Sequence, residues 1–292
     1  MLVLLSPGQG SQSPGMLLPW LDAVGAEEDV ARWSAATDLD LRHLGTQAAA
    51  DDIRDTAIAQ PLLVATALLS GRALLAGRTP DLVCGHSVGE LAALALAGLL
   101  TDTEAVVLAA GRGRAMADAA AQEPTGMAAL LGAHEAPDRP GLELATVNVA
   151  GQVVVGGPLA ALDALASQPP AGVRVRRLDV AGAFHTTAMA SAVAPFQALV
   201  DGLPRRTTGC GVVANADGAV LTDAADLLDR LVRQLTSPVR FDLCLAALGA
   251  LGVTDVIELA PSGTLGPLVR RGLPGTSVTA LTTLADLPVG VA

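Results

Sequence analysis

Lysine and tyrosine are absent from the 292-residue sequence, and the 18 residues in its Lys+Arg total are therefore all arginine. Without lysine, the chain cannot form a Schiff base with a pyridoxal cofactor or supply the lysine of a P-loop phosphate site. Without tyrosine, no phenol is available as a general acid or base. Any histidine chemistry must use one of four residues, which are His43, His86, His134 and His185.

Cysteine and clustered positive charge are also scarce. The three cysteines, Cys84, Cys210 and Cys244, are far apart and lie in apolar stretches. This usage indicates a reducing compartment and argues against a disulfide framework or a zinc site. The net charge is −11 and no basic run occurs. Nucleic acid is therefore not expected as a partner, because phosphate binding needs clustered cations.

Long apolar runs are missing as well, although 51% of the residues are apolar and the mean hydropathy is +0.49. The longest uninterrupted run, Leu91 to Leu100, is ten residues, whereas a membrane-spanning helix needs about 18. The N-terminus has no basic segment before its short apolar run, which a signal peptide would need. We therefore expect a soluble, cytoplasmic, globular protein with no membrane segment.

The order of predicted elements divides the chain into two units. Before residue 123 and after residue 184, predicted strands alternate with helices, which is typical of an α/β fold with a parallel sheet. Composition and periodicity change at residues 123–126, and the block that follows is rich in predicted strands. We expect residues 1–122 and 185–292 to form a large α/β catalytic unit, and residues 123–184 a small inserted α+β unit. Within the large unit, one helix is predicted to start at Pro61 and another to be capped by Thr101.

A nucleophile motif lies between a predicted buried strand and a predicted helix. Gly85, Ser87 and Gly89 form the pattern G-x-S-x-G, in which a sharp strand-to-helix turn exposes the serine hydroxyl. The following helix directs its free N–H groups and positive dipole end at the point where an oxyanion develops. The sequence therefore predicts Ser87 as a nucleophile, and a turn serine with a structural role is the alternative.

A serine nucleophile needs a base, and position selects among the four histidines. His185 follows a predicted strand and precedes a predicted helix, where loops build sites; a capping role is its alternative. His86 adjoins the serine and is expected to pack under the loop. His43 and His134 lie in polar stretches and are expected to be solvated.

Five motifs occur in an order that matches one family. They are PGQGSQ (7–12), GHSVGE (85–90), RGRAM (112–116), GAFHT (182–186) and QLTSPVRF (234–241). In these motifs the chain resembles the malonyl-CoA:acyl-carrier-protein transacylases, which load malonate for fatty-acid synthesis and, as domains, for polyketide synthesis. One of these motifs alone would not identify the family, but five of them in the same order do so with high specificity.

The resemblance implies a role for each matching residue. Ser87 would carry the malonyl ester, His185 would be its general base, and Gln234 would accept a hydrogen bond from His185 through its carbonyl. The backbone N–H groups of Gln9 and Val88 would form the oxyanion hole. The malonyl carboxylate would bind Arg112, while Glu90 would support its helix. The expected wall residues of the substrate pocket are Gln60, Asn148 and Phe184.

The same resemblance implies a fold. The large unit would be α/β-hydrolase-like and the small unit ferredoxin-like, with the first helix of the small unit cut to a few residues around 134–139. Phe241 stands where the family usually has tryptophan. Phe184 resembles the malonyl-selecting members, in which a bulky ring leaves little room for a 2-methyl branch.

The implied function is ping-pong malonyl transfer from malonyl-CoA to the phosphopantetheine thiol of an acyl-carrier protein, with no metal or redox cofactor. Three alternatives remain: a serine esterase or thioesterase, the malonyl transferase of a malonate decarboxylase system, and a catalytically silent carrier-docking protein. Carrier proteins of this kind are acidic, so docking on this acidic chain would need a local basic patch. The candidates are the arginines at 174, 176 and 177 and the pair at 205 and 206, with scattered solvated arginines as the alternative.

Overall fold

The computed structural model describes residues 1–287, which form eleven strands and ten α-helices in two sheet-based units. The larger sheet has six strands in the order β11-β10-β1-β2-β7-β8, all parallel except for the β7–β8 pair. In chain order they are β1 (Val3–Ser6), β2 (Leu82–Gly85), β7 (Gly211–Val213), β8 (Val220–Leu221), β10 (Asp255–Glu258) and β11 (Ser277–Ala280).

The smaller sheet has five strands in the order β6-β3-β5-β4-β9. They are β3 (Thr125–Leu131), β4 (Glu143–Val149), β5 (Gln152–Pro158), β6 (Arg174–Arg177) and β9 (Val239–Arg240). The first four pair antiparallel in the order expected of a ferredoxin-like unit, and β9 joins β4 in parallel. No helix lies between β3 and β4 in this described part of the chain, so the helix that the resemblance implied is lost altogether and not merely cut to a few residues around 134–139.

Ten helices cover the two sheets. They are α1 (Ala26–Thr37), α2 (Leu41–Thr46), α3 (Thr56–Leu75), α4 (Gly89–Leu96), α5 (Asp102–Ala120), α6 (Leu159–Ser167), α7 (Ala190–Asp201), α8 (Ala224–Arg233), α9 (Phe241–Ala250) and α10 (Leu265–Gly272). The larger sheet is buried on both faces: Leu4 of β1 packs into the cluster that holds α3, α4 and α5, whereas Leu5 packs against α9 and α10. The predicted α/β class with an inserted α+β layer is confirmed.

Two helix starts test the sequence predictions directly. Thr101 caps α5 as predicted, in a reciprocal capping box with Glu104. The predicted start at Pro61 was wrong, because α3 begins five residues earlier, where the Asp55 side chain accepts the N–H of Ala57. Pro61 therefore lies inside the helix, in its second turn, where its missing N–H leaves one intrahelical hydrogen bond unmade.

Helix α3 is long and apolar enough to cross a membrane by length and composition alone. Its most apolar 18-residue window, however, is 83% buried inside the fold. The helix lies against α4 and α5 in the main apolar cluster, which accounts for its all-round hydrophobicity as that of a core helix.

The division at residues 123 and 184 stays a prediction, and one strand crosses it. Strand β9 comes from the segment assigned to the large unit, yet it pairs with β4 of the small sheet through Thr146 and Val147. The segment just before β9 contains Gln234, so this crossing brings the small sheet beside the candidate site. Strands β1 and β2 end together, with Ser6 opposite Gly85, and the loops that follow them meet at the same edge of the large sheet.

Candidate active site

Ser87 sits on a tight turn between β2 and α4, with a left-handed backbone φ of 55°. A non-glycine residue in this region is strained and persists where the surrounding structure imposes it. The neighbouring glycines allow the close approach: a Cβ on Gly89 would lie 2.2 Å from the carbonyl oxygen of Ser6, and one on Gly85 would lie 2.1 Å from the backbone N of Glu90. The turn therefore holds the serine hydroxyl above the end of the sheet, as the sequence predicted.

A continuous hydrogen-bond chain joins Ser87, His185 and the backbone of Gln234. Ser87 Oγ lies 2.8 Å from His185 Nε2, and His185 Nδ1 lies 2.8 Å from the carbonyl oxygen of Gln234. Because a carbonyl only accepts, Nδ1 carries the proton and Nε2 is left to accept from the serine hydroxyl. His185 also has a positive φ, of 63°, so both partners are held in strained backbone positions.

The pKa of His185 is lowered to about 3, first by burial and then by the positive charge of Arg112. The hydrogen bond to the Gln234 carbonyl opposes this shift. A neutral imidazole at physiological pH is the state that takes a proton from a hydroxyl. The histidine is thus in the state that a general base requires.

Arg112 reaches the nucleophile from the middle of α5. Its side chain has no exposed surface, and its Nη2 lies 3.4 Å from Ser87 Oγ. The guanidinium also donates to two neutral amide oxygens, Gln60 Oε1 through Nη1 and Gln234 Oε1 through Nη2, each at 2.8 Å. No carboxylate in residues 1–287 forms an ion pair with it, and its Nε has no hydrogen-bond partner there. Burial lowers the pKa of Arg112 to about 10, which leaves it charged at neutral pH.

One residue of the site was missed from the sequence, and a second makes contacts beyond those expected of it. The side chain of Asn215, just after β7, accepts from the N–H of Ser87 at 2.8 Å and donates to the carbonyl of Gly85 at 2.6 Å. Glu90, expected only to support its helix, accepts from Asn215 N at 2.7 Å and from Gln234 Nε2 at 2.6 Å. A polar residue directly after a buried strand next to β2 was the signal for Asn215.

A cavity of about 170 Å³ opens beside Ser87 and His185. Its walls include the three predicted wall residues, Gln60, Asn148 and Phe184, together with Gln9, whereas Arg112 lies behind the wall. Asn148 Oδ1 accepts from His86 Nε2 at 3.0 Å, and the His86 ring packs edge-on against Phe241. His86 therefore packs under the loop, as expected, while His43 and His134 are exposed and lie outside the site.

The predicted oxyanion-hole amides belong to the loops after β1 and β2. The side chain of Gln9 is tied to Thr56 Oγ1 at 3.1 Å, and Val88 is fully buried at the start of α4. Among residues 1–287, neither backbone N–H donates a hydrogen bond to a protein group. Both N–H groups are thus left without a protein acceptor in the described residues.

Residues 3–285 match the acyl transferase domain family. The chain is 48% identical to the malonyl CoA-acyl carrier protein transacylase of Mycobacterium tuberculosis, over 98% of each chain, and 32% identical to that of Bacillus subtilis, over 92% of this chain and 90% of the relative. The fold superposes on a crystal structure of the Mycobacterium tuberculosis protein with a TM-score of 0.91, over 98% of each chain. A type II polyketide-synthase acyl-carrier protein in complex with its malonyl-transacylase gives 0.90 at 28% identity, over 98% of this chain and 97% of that chain.

Proposed function

Since this chain belongs to the acyl transferase domain family, we propose that it transfers a malonyl group from malonyl-CoA to the phosphopantetheine thiol of an acyl-carrier protein. The reaction would serve fatty-acid or polyketide synthesis. The observation that carries the proposal is the buried contact between Ser87, His185 and Arg112, which joins a nucleophile and its base to a permanent cation.

The first half-reaction acylates Ser87. His185 Nε2 takes the hydroxyl proton while Oγ attacks the thioester carbonyl, and a tetrahedral oxyanion forms between the N–H groups of Gln9 and Val88. When this intermediate collapses, the carbon–sulfur bond breaks and the CoA thiolate takes the proton from the His185 imidazolium. The product is a malonyl-Ser87 ester and free CoA.

The second half-reaction runs through the same groups in reverse. The phosphopantetheine thiol of the carrier gives its proton to His185, and its sulfur attacks the ester carbonyl. Collapse expels Ser87 Oγ, which recovers the proton, and the malonyl group leaves as a thioester. No metal or redox cofactor is required at any step. Because a thioester is easier to attack than an amide, a backbone carbonyl behind His185 is sufficient where a carboxylate would stabilise the imidazolium more strongly.

Arg112 selects an acyl group that carries a carboxylate. Its N–H groups now donate to the neutral oxygens of Gln60 and Gln234. A carboxylate accepts a stronger, charge-assisted hydrogen bond and can bind the guanidinium in bidentate fashion. We expect the malonyl carboxylate to displace Gln60 Oε1, since Gln60 lines the cavity. This requirement for a carboxylated acyl group favours the transferase over a general esterase.

Incubation with malonyl-CoA followed by intact-mass measurement tests the proposal. We expect wild-type protein to gain one malonyl group and to lose it when holo acyl-carrier protein is added, with malonyl-carrier as the product. Ser87→Ala should gain nothing. Release of free malonate in place of malonyl-carrier would favour a thioesterase, and an unmodified wild type would favour a silent docking protein.

We also propose a cytoplasmic location. The support is the cysteine usage, because Cys84 and Cys244 are buried, unpaired thiols in the core. Oxidising conditions would favour disulfides. We therefore expect to recover the protein in the cytoplasmic fraction, and we expect all three of its thiols to react with a thiol reagent after unfolding.

A further inference from the structure

We propose that Glu90 is a positioning residue that fixes the orientation of the Gln234 side-chain amide and through it holds Arg112 in place for the malonyl carboxylate. The inference rests on the proposed function and adds a residue to it. Glu90 lies three residues after the nucleophile and does not contact Ser87 Oγ or the acyl cavity in residues 1–287.

The four side chains form one buried relay. Glu90 Oε2 accepts from Gln234 Nε2 at 2.6 Å, and Gln234 Oε1 accepts from Arg112 Nη2 at 2.8 Å. Asn215 closes the relay: its N–H binds Glu90 Oε1 at 2.7 Å, and its Oδ1 accepts from Gln234 Nε2 at 3.2 Å. These residues are each at least 93% buried, and a buried network of this kind is costly to leave partly unsatisfied.

An amide in this position has two orientations that differ in what they present to Arg112. With Oε1 toward the guanidinium, an acceptor meets a donor; with Nε2 toward it, two donors meet. Ionised Glu90 accepts hydrogen bonds and donates none, so it requires Nε2 on its own side and leaves Oε1 for Arg112. The backbone carbonyl of Gln234 meanwhile accepts from His185, and the same residue thereby serves both the base and the cation.

The charge of Glu90 also balances that of Arg112 across the amide. The other charged side chains near Glu90 line a second cavity of about 460 Å³, which Glu90 and Gln234 also border. They are Arg230, Arg233, Arg240 and Asp217, and each of the three arginines already pairs with a carboxylate. The thiols of Cys84 and Cys244 lie beneath, on β2 and α9. Among the arginines near Glu90, Arg112 is thus the one that forms no ion pair with a carboxylate in residues 1–287.

The relay makes the site sensitive to pH at Glu90. Burial raises the pKa of Glu90 to about 7, although the Asn215 N–H and the charge of Arg112 oppose the shift. The pKa of His185 is lowered to about 3, so this base stays neutral well below pH 7. As the pH falls through about 7, Glu90 takes a proton, its Oε2 accepts less strongly from Gln234 Nε2, and the carboxylate charge no longer fixes the orientation of the amide. Malonyl transfer should therefore lose activity on the acid side near pH 7 through Glu90, while His185 remains a competent base.

Glu90→Gln tests this inference with two reactions measured from about pH 5 to about pH 9. Acylation by malonyl-CoA needs Arg112, whereas inactivation by an uncharged sulfonyl fluoride needs Ser87 and His185 alone. We expect Glu90→Gln to raise the KM for malonyl-CoA by at least about tenfold and to abolish the acid limb near pH 7, with sulfonylation changed by less than about twofold. Glu90→Asp should keep an acid limb in its pH profile, and its KM for malonyl-CoA should lie between those of wild type and Glu90→Gln. Glu28→Gln changes an exposed glutamate and should match wild type in both measurements.

Two results would overturn the inference while leaving malonyl transfer intact. One is a Glu90→Gln variant that keeps the acid limb and the KM of wild type. The other is a parallel fall of acylation and sulfonylation, which would give Glu90 a purely structural role. A wild type that reacts with the sulfonyl fluoride but never with malonyl-CoA would instead overturn the proposed function, and this inference with it.

Discussion

At the scale of single residues, the candidate site depends on Arg112, a cation that forms no ion pair with any carboxylate in residues 1–287. Arg112 is buried and donates to amide oxygens. Two charge-assisted hydrogen bonds to a substrate carboxylate would each contribute about 1.5–3 kcal/mol. That magnitude is enough to determine which acyl group is transferred.

We expect Arg112→Ala to slow Ser87 acylation by malonyl-CoA by about a hundredfold or more. Acetyl-CoA has no carboxylate to bind, so its slower acylation should be retained or rise. Arg114→Ala is the matched control, because Arg114 is exposed on the same helix. Rates of ester formation, followed by intact mass for both donors, give the comparison. An unchanged preference for malonyl over acetyl in Arg112→Ala would remove the selecting role of Arg112.

Phe184 is expected to exclude a 2-methyl branch. Its ring is 5% exposed and lines the cavity of about 170 Å³ next to His185. One methyl group in an apolar pocket changes selectivity by about 1–3 kcal/mol. Wild type should therefore be acylated by methylmalonyl-CoA at least about tenfold more slowly than by malonyl-CoA. Phe184→Leu should bring the two acylation rates closer together. Phe196→Leu, a core substitution away from the cavity, should leave it unchanged. Equal rates for the two donors in wild type would contradict the assignment.

The residue types of the site could be predicted from the sequence, but their hydrogen-bond pattern could not. The strand–turn–helix context marks Ser87, and the ordered motifs mark His185 and Arg112. Whether Gln234 serves His185 through its backbone or its side chain is decided by the turn that carries it, and the structure uses the backbone. The side chain is then left for Arg112 and Glu90, contacts with no signal in sequence spacing because 122 and 144 residues separate them from Gln234.

At the scale of elements, prediction was best where local rules act. The buried strand β2 and the capping box of α5 each depend on neighbouring residues, and both were predicted. Helix α10 was missed because its start is capped from outside the usual capping position: Glu258, at the end of β10, accepts the N–H groups of Thr264, Leu265 and Gly266. Strand β9 was missed because two residues paired with β4 have no periodicity to detect.

The turn at Ser87 requires α4 to lie close to β1, and we expect it to be distorted when a side chain at Gly89 prevents that approach. Gly89→Ala would place a Cβ 2.2 Å from the backbone oxygen of Ser6, which cannot move as a side chain could. We expect a loss of about 1–3 kcal/mol in the free energy of unfolding, together with slower acylation because Ser87 shifts. Gly202→Ala is the control, since its Cβ would meet nothing nearer than 3.6 Å. Equal thermal midpoints for the two variants would show that the turn tolerates the added atom.

At the scale of the whole molecule, the sheet directions decide which arginines can meet a carrier. Arg205 comes before β7, which runs parallel to β2, so it lies at the sheet edge opposite to Ser87. Its neighbour Arg206 is paired with Glu104, and Arg177 is paired with Asp163. Arg174 and Arg176 are exposed on the edge strand β6, and neither pairs with a carboxylate in residues 1–287.

Arg174 and Arg176 also lie on the face of the small sheet that is turned toward the large unit. Along β6 they alternate with Val175, which packs under α6, and Arg176 pairs with Ala129 on the face turned toward the large unit. Leu178, two residues beyond Arg176, lines the acyl cavity. On a chain of net charge −11, this strand therefore offers two exposed arginines without a carboxylate partner in residues 1–287, in the strand that leads into the cavity residue Leu178, whereas Arg205 lies at the opposite end of the large sheet.

We expect the double change Arg174→Glu and Arg176→Glu to raise the KM for an acidic carrier protein by about tenfold or more at low salt, with a smaller effect at high salt. Acylation by malonyl N-acetylcysteamine thioester, which has no phosphate, should be unaffected because Ser87, His185 and Arg112 are untouched. The double change Arg78→Glu and Arg205→Glu alters the net charge equally at the opposite edge of the sheet and should leave the carrier KM close to that of wild type. Steady-state rates at two salt concentrations separate local docking from repulsion by overall charge. An equal rise in KM for both double variants would show that the net charge, and not the β6 edge, governs docking.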